Sequence, residues 1–307
     1  MKELVFGHKN PDTDAIVAAK AYSYLQNKLG ADTEAVALGE PNDETKYVLD
    51  YFDEPTPRVI TKAKPEVDAV MLVDHNEPQQ SVDDIADVTV TNVVDHHRIA
   101  NFNTAAPLYY HAEPLGCCST IILKEFKQHE VEVPKKLAGL MLSAIISDTL
   151  LLKSPTTTDE DVAAVKKLAK IAGVDYEKYG MDMLKAGTKI GDKTTEELIS
   201  GDAKTFEMGG KTVRVNQVNT VDLDDVFARE ADLSAAMEKQ NSEDGYDLFL
   251  LMVTDILNSN TRLLVAGDPK SAVEKAFDKK LNDNKMDLPG VVSRKKQIVP
   301  PMQKAFE

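Results

Sequence analysis

Three short apolar runs near the start of the chain each end in acid or imidazole side chains, and helical patterns separate them. Leu4–Phe6 runs into Gly7-His8-Lys9-Asn10-Pro11-Asp12-Thr13-Asp14, Ala69–Val73 into Asp74-His75, and Val88–Val94 into Asp95-His96-His97. Ala35–Leu38 and Arg58–Ile60 read as further strands. The helical patterns are Asp14–Leu29 (stopped by Gly30), Ser119–Gln128, Lys135–Ile146 behind Pro134, and Asp159–Ile171 (stopped by Gly173). Short strands alternating with helices predict βαβ units in a mostly parallel sheet flanked by helices. In such sheets the crevice outside the carboxyl ends of the strands takes the ligand, so three strands deliver Asp and His to one rim.

The pattern changes past the middle of the chain. Lys204–Met208 and Lys211–Val218 flank Gly209-Gly210, which reads as a tight hairpin. A helix (Asp224–Gln240), strands Asp247–Val253 and Thr261–Ala266, and a helix (Ser271–Leu281) follow, a smaller mixed α/β domain. A length of 307 residues fits two domains: 1–187, a hinge linker at 188–193, and 194–307.

Charge narrows the partners. With 51 acidic against 36 basic residues the formal net charge is −15, which repels phosphate backbones and anionic membranes, so neither nucleic acid nor membrane is expected. The N-terminus lacks a signal-peptide apolar run and no window suits a membrane span. Cys117 and Cys118, the only cysteines, read as packed hydrophobes without a basic neighbour. A cytoplasmic protein is expected.

Each candidate has a plain reading. Asp12 or Asp14 alone would be a helix cap, Asp74 a turn former, and His96 and His97 loop residues. His75, His111 and His129 are read as bystanders, and Ser119 as the cap of its own helix. Asp148 adds a carboxylate after the apolar segment Leu140–Ile146. If His8, Asp12, Asp14, Asp74, His96 and Asp148 meet, four carboxylates share one crevice, which only cations make tolerable. Two divalent ions with imidazole and carboxylate ligands suit Mn²⁺ or Co²⁺, and such a pair can activate a water for in-line attack on phosphorus. Arg294 and Lys295, alone a solvated basic run, could clamp phosphate oxygens, and Lys204 could serve similarly. No Walker A loop, dinucleotide glycine fingerprint or GxSxG motif is found.

His8-x-x-x-Asp12-x-Asp14, the Asp74 strand end and Asp95-His96-His97 together resemble the DHH phosphoesterase superfamily. Ser293-Arg294-Lys295-Lys296-Gln297 and the full Gly7–Asp14 run narrow the resemblance to the family II (manganese-dependent) inorganic pyrophosphatases. The resemblance implies one metal held by His8, Asp12 and Asp74, and a second held by Asp14, Asp74, His96 and Asp148, so that Asp74 bridges. It implies His97 as phosphate contact and proton donor, Asp95 as the partner orienting a histidine, and Lys204, Arg294 and Lys295 as substrate-binding residues. It further implies two Mn²⁺ (or Co²⁺), Mg²⁺ entering with pyrophosphate, an active site between the domains, and a homodimer through the larger domain. Two other readings are a DHH-type phosphodiesterase or exopolyphosphatase, and a non-catalytic metal- or phosphate-binding regulator. The paired glycines followed by Lys211, the scarcity of aromatics and the intact candidate set speak against them.

Overall fold

A computed structural model gives the fold, describing residues 2–188, 190, 191 and 193–307. The chain divides into two compact units, Met1–Gly187 and Thr188–Glu307. Of the expected hinge 188–193, Lys189 and Asp192 lie outside the described residues. Among the described residues, no helix is long and apolar enough to cross a membrane.

In the first unit the elements are β1 (Lys2–Phe6), α1 (Thr13–Lys28), β2 (Asp32–Ala35), α2 (Asp43–Tyr51), β3 (Ala69–Val73), β4 (Thr89–Asp95), β5 (Tyr109–Ala112), α3 (Cys118–Gln128), α4 (Lys135–Thr149), α5 (Asp159–Ala172) and α6 (Tyr176–Gly187). The sheet runs β2-β1-β3-β4-β5 with every pairing parallel. Leu4, Phe6, Val70, Leu72 and Val93 pack one buried cluster of the sheet, each such side chain stabilising the unit by about 1.5–3 kcal/mol. From Leu137 to Ile146 α4 is buried throughout, as a helix apolar on all sides must be; it packs against α1, α3, α5 and α6. Its C-terminus turns through three consecutive left-handed residues, Leu150, Leu151 and Leu152 (φ 48°, 54° and 63°).

Several boundaries differ from the sequence reading. The strand expected at Ala35–Leu38 lies at Asp32–Ala35, and Arg58–Ile60 contributes only an isolated bridge between Val59 and Ala37. Asp43–Tyr51 and Tyr176–Gly187, not read as helices, are capped or packed by tertiary partners. Asn42 accepts a hydrogen bond from the Thr45 amide at the head of α2.

The second unit carries α7 (Thr195–Ser200), β6 (Ala203–Met208), β7 (Lys211–Thr220), α8 (Leu223–Phe227), α9 (Glu230–Asp244), β8 (Leu248–Asp255), β9 (Asn260–Gly267), α10 (Lys270–Phe277), β10 (Lys285–Pro289), a π-helical turn at Arg294–Ile298 and α11 (Val299–Ala305). Its sheet runs β10-β9-β8-β7-β6; only β7 and β8 pair in parallel. All eight residues of β8 are buried. Leu248, Leu250 and Met252 enter one core and Phe249, Leu251 and Val253 the other, the period-two alternation of a strand covered on both faces. The helix expected over Asp224–Gln240 is two helices, α8 and α9. They part near Arg229, whose guanidinium donates to the Lys193 carbonyl and the Thr195 hydroxyl.

Candidate metal centre

β1 and β3 are neighbours whose onward connections go to opposite sides, the point where a parallel sheet opens a crevice at its carboxyl edge. The loop after β1 supplies His8 and the cap Asp12, and Asp14 stands in the first turn of α1. Gly7 permits this sharp entry, because a Cβ there would lie 2.6 Å from Ala15 backbone atoms. β3 is followed at once by Asp74, whose φ of 57° is unusual for a residue with a Cβ. β4 ends in Asp95, with His96 and His97 next. Asp148 sits in the last turn of α4 rather than beyond it.

Asp74 occupies the middle. Its Oδ2 lies 3.4 Å from His8 Nε2 and its Oδ1 lies 3.2 Å from His96 Nε2. Asp12 Oδ2 is 3.5 Å from His8 Nε2, and Asp148 Oδ2 is 3.9 Å from His96 Nε2. Potential ligand atoms of His8, Asp12 and Asp74 lie within 4.8 Å of one another, as do those of Asp74, His96 and His97, and of Asp14, Cys117 and Asp148.

The tautomers follow from the second nitrogen of each ring. His8 Nδ1 is 2.9 Å from the Lys9 carbonyl and His96 Nδ1 is 3.0 Å from the Leu115 carbonyl. Carbonyls only accept, so Nδ1 carries the proton in both and donates it. In the neutral ring Nε2 then aims a lone pair at a carboxylate, an arrangement of acceptor against acceptor that a cation between them resolves. Asp74 Oδ1 is buried and, among the described residues, has no hydrogen-bond donor of good geometry. The donor set therefore fits divalent cations that prefer mixed nitrogen and oxygen ligands.

The plain and functional readings of Asp12 coexist. Its Oδ1 accepts from the Ala15 amide and caps α1, while Oδ2 faces His8. Asp14, wholly buried, works at longer range. Its Oδ2 accepts from the Cys118 amide at 2.7 Å, and its Oδ1 from the Ser119 amide and, at 2.6 Å, the Ser119 hydroxyl. Asp14 thus caps α3 from another helix, and Ser119, which the sequence suggests as that cap, binds Asp14 instead.

Charge crowding shows in the titration. Burial and then the Asp74 charge push the Asp14 carboxyl up to about 7, and burial followed by the Asp14 charge drives Asp148 well above the carboxylate range. Burial opposes the charge on His8, yet Asp12 and Asp74 outweigh it and raise His8 well above its ordinary value. Burial first, then the neighbouring His96, lower His97 to about 4. Burial of Asp95 works against its ionisation, but the hydrogen bond from His97 holds it at about 2. That contact joins Asp95 Oδ1 and His97 Nδ1 at 2.9 Å; the other oxygen, Oδ2, accepts from Asn76.

Cys117 and Cys118 are buried, and burial together with Asp14 raises both thiols well above their usual range. Cys117 nonetheless stands beside Asp14 and Asp148, a proximity the sequence reading missed. His75 is buried with Nδ1 on the Val73 carbonyl. His111, read as a bystander, lies between two carboxylates, with Nδ1 2.7 Å from Glu125 and Nε2 2.7 Å from Glu113. In the second unit Lys204 pairs in register with Val215. Arg294 donates to the Val215 carbonyl at 3.4 Å and to Asp202 Oδ1 at 2.8 Å. Lys295 follows in the same π-helical turn.

Comparison with known proteins accords with this arrangement. The pattern of the DHH family N-terminal domain matches residues 2–145, and that of the DHHA2 domain matches residues 181–305. A Lactiplantibacillus plantarum protein named as a manganese-dependent inorganic pyrophosphatase is 72% identical, covering 99% of both chains. A Lactobacillus helveticus protein of the same name is 65% identical, covering 100% of this chain and 99% of the other. A solved structure described as a family II inorganic pyrophosphatase of Methanococcus jannaschii superposes with a TM-score of 0.88 at 40% identity, covering 100% of this chain and 99% of that one. With an aspartate between two histidines at the carboxyl edge and both domain patterns matched in order, this chain belongs to the manganese-dependent inorganic pyrophosphatase family.

Proposed function

We propose that the chain hydrolyses inorganic pyrophosphate to two phosphates with the aid of divalent cations. The observation that carries this reading is Asp74, a buried carboxylate with one oxygen toward His8 and the other toward His96. His8, Asp12 and Asp74 would hold one Mn²⁺, and Asp14, Asp74, His96 and Asp148 a second, with Co²⁺ as the alternative ion and Mg²⁺ accompanying the substrate. Bound there, two cations supply charge neutralisation and make a water acidic enough to attack phosphorus.

The protein's own groups do the rest. The carbonyls of Lys9 and Leu115 fix the ring orientation of His8 and His96, and the Ala15 amide fixes Asp12. Asp95 accepts from His97 Nδ1–H and so turns Nε2 outward. His97 is neutral without substrate; the negative charge of pyrophosphate beside it favours the imidazolium, which then gives its Nε2 proton to the departing phosphate as the P–O bond to that phosphate breaks. Lys204, Arg294 and Lys295 neutralise charge on the phosphate oxygens. Residues 1–187 act as the metal-binding catalytic domain and 194–307 as the substrate-binding domain. The chain works in the cytoplasm and forms a homodimer through the first domain; the dimer is supported by β5, which among the described residues pairs with β4 alone and leaves its outer edge open.

The test is phosphate release from pyrophosphate after Mn²⁺ loading, beside a bis-ester and a short polyphosphate. Hydrolysis of pyrophosphate above the other two, abolished by a chelator and restored by Mn²⁺, is expected. Preferential cleavage of the bis-ester or polyphosphate, or undiminished turnover after chelation, would refute the reading.

A further inference from the structure

Glu44 grips the residues that stand beside two of the candidate ligands. It stands in the first turn of α2. Its Oε1 accepts from Thr13 Oγ1 at 2.8 Å and from the Ser147 hydroxyl. Thr13 is the residue between Asp12 and Asp14, and Ser147 precedes Asp148. One carboxylate oxygen therefore joins the entrance of α1 to the end of α4, segments 134 positions apart at those two donors by their numbering, at the point where Asp14 and Asp148 approach within 4.8 Å of Cys117 and of each other.

The approach of Asp14 and Asp148 is unfavourable by itself. Asp14 is wholly buried and Asp148 largely so, and like charges brought together out of water repel. Held only by their own helices, the two segments would relax apart when no cation is present. The shared acceptor opposes that relaxation, because its two hydroxyl donors sit one residue from each carboxylate. Thr13 is held further by Thr45, whose hydroxyl is 3.0 Å away and wholly buried. Glu44 is itself backed by the end of α6: a Cβ on Gly187 would come within 2.9 Å of Glu44 Cβ, so the carboxylate has little room to swing away.

We infer that Glu44 is a positioning residue that keeps Asp14 and Asp148 at the spacing needed to hold the second cation. The inference rests on the ligand assignment given under the proposed function. Partners that orient ligands shift metal affinity by about 10- to 100-fold when removed.

The experiment is Mn²⁺ titration calorimetry of the full chain after chelator stripping, with a thermal melt of each metal-free variant. Glu44→Ala is expected to weaken one class of Mn²⁺ sites by about 10- to 100-fold and leave the other within about threefold. Glu44→Gln, whose amide oxygen still accepts both hydroxyls, should stay within about threefold of the parent at both. A folded Glu44→Ala that keeps both affinities overturns the inference. So does Glu44→Gln that binds as poorly as Glu44→Ala, since charge and not the shared acceptor would then matter. If Glu44→Ala melts without a cooperative transition, Ser147→Ala takes its place. It should weaken the same class, and unchanged affinity there also overturns the inference. Asp148→Asn separates this from the ligand assignment: if that variant keeps both ions, the assignment itself fails, whereas if it loses one while Glu44→Ala loses neither, only the role of Glu44 fails.

Discussion

Both units are built on five-stranded sheets, but they gather chemistry in opposite ways. In the first, every strand points the same way, so residues far apart in sequence leave the sheet at one edge. β1, β3 and β4 bring His8, Asp12, Asp74, His96 and His97 together although nearly ninety positions separate the first from the last. In the second, three of the four pairings are antiparallel, and strand ends are dealt to both edges. Its basic residues meet sideways instead: Lys204 lies across from Val215, and Arg294 reaches the Val215 carbonyl from the C-terminal turn. Parallel topology suits a compact acidic cage; antiparallel topology suits cations laid along a strand and a neighbouring turn.

If the acidic cage and the cationic strand do separate jobs, variants in the two units must fail differently. Asp74→Ala, which removes the carboxylate between two histidines, should lower turnover by about 10³-fold or more and reduce bound Mn²⁺. Phosphate release and metal analysis of the dialysed protein check this. Two ions kept at full occupancy would remove Asp74 from the centre of the cage. Arg294→Ala should cost about 10²-fold in kcat/KM with Mn²⁺ stoichiometry unchanged; parallel loss of metal would erase the division between the units.

The smallest expected effect sharpens the comparison at β5. Both ring nitrogens of His111 meet carboxylates, an arrangement only the imidazolium can satisfy with two donors. Burial works against that charge, but Glu125 and Glu113 prevail and raise the pKa. The stabilisation is therefore complete below the unfolded value near 6.5 and is lost as pH rises through the higher folded value. Solvent screening keeps it below about 1 kcal/mol. Urea midpoints of the parent and His111→Gln should differ at pH 5.5 and converge at alkaline pH; a constant gap would show that the ion pairs do not titrate.

Strand ends were legible where the apolar run was continuous and its boundary charged. Ala69–Val73 stands as read because five apolar residues are followed at once by Asp74. β5 was not legible: Tyr109–Ala112 is short and half-exposed, so burial imposes no alternation on it. α2 escaped for a similar reason, burying only Thr45, Val48 and Leu49. The candidate ligands could be listed because they follow strands or an apolar helix. Their supports could not, since Ser119 reaches Asp14 across 105 positions and Ser147 reaches Glu44 across 103. Asn76, which binds Asp95 and the Arg98 carbonyl, stands two residues after Asp74 in the sequence, although only the fold shows which acid it meets.

The three left-handed leucines after α4 bear on which residues this stretch of chain can accept. Left-handed backbone disfavours residues with a Cβ by about 1–2 kcal/mol each, so Leu150, Leu151 and Leu152 must be held by their surroundings. Amides of Leu150 and Leu151 close onto the Ser147 and Ile146 carbonyls, and Leu151 lies where a side chain on Gly180 would stand. A helix end tied this way cannot fray one residue at a time, which keeps Asp148 on a fixed stem. Drift toward asparagine or glycine would ease the backbone, whereas valine or isoleucine, branched at Cβ, would meet a torsion more hostile still.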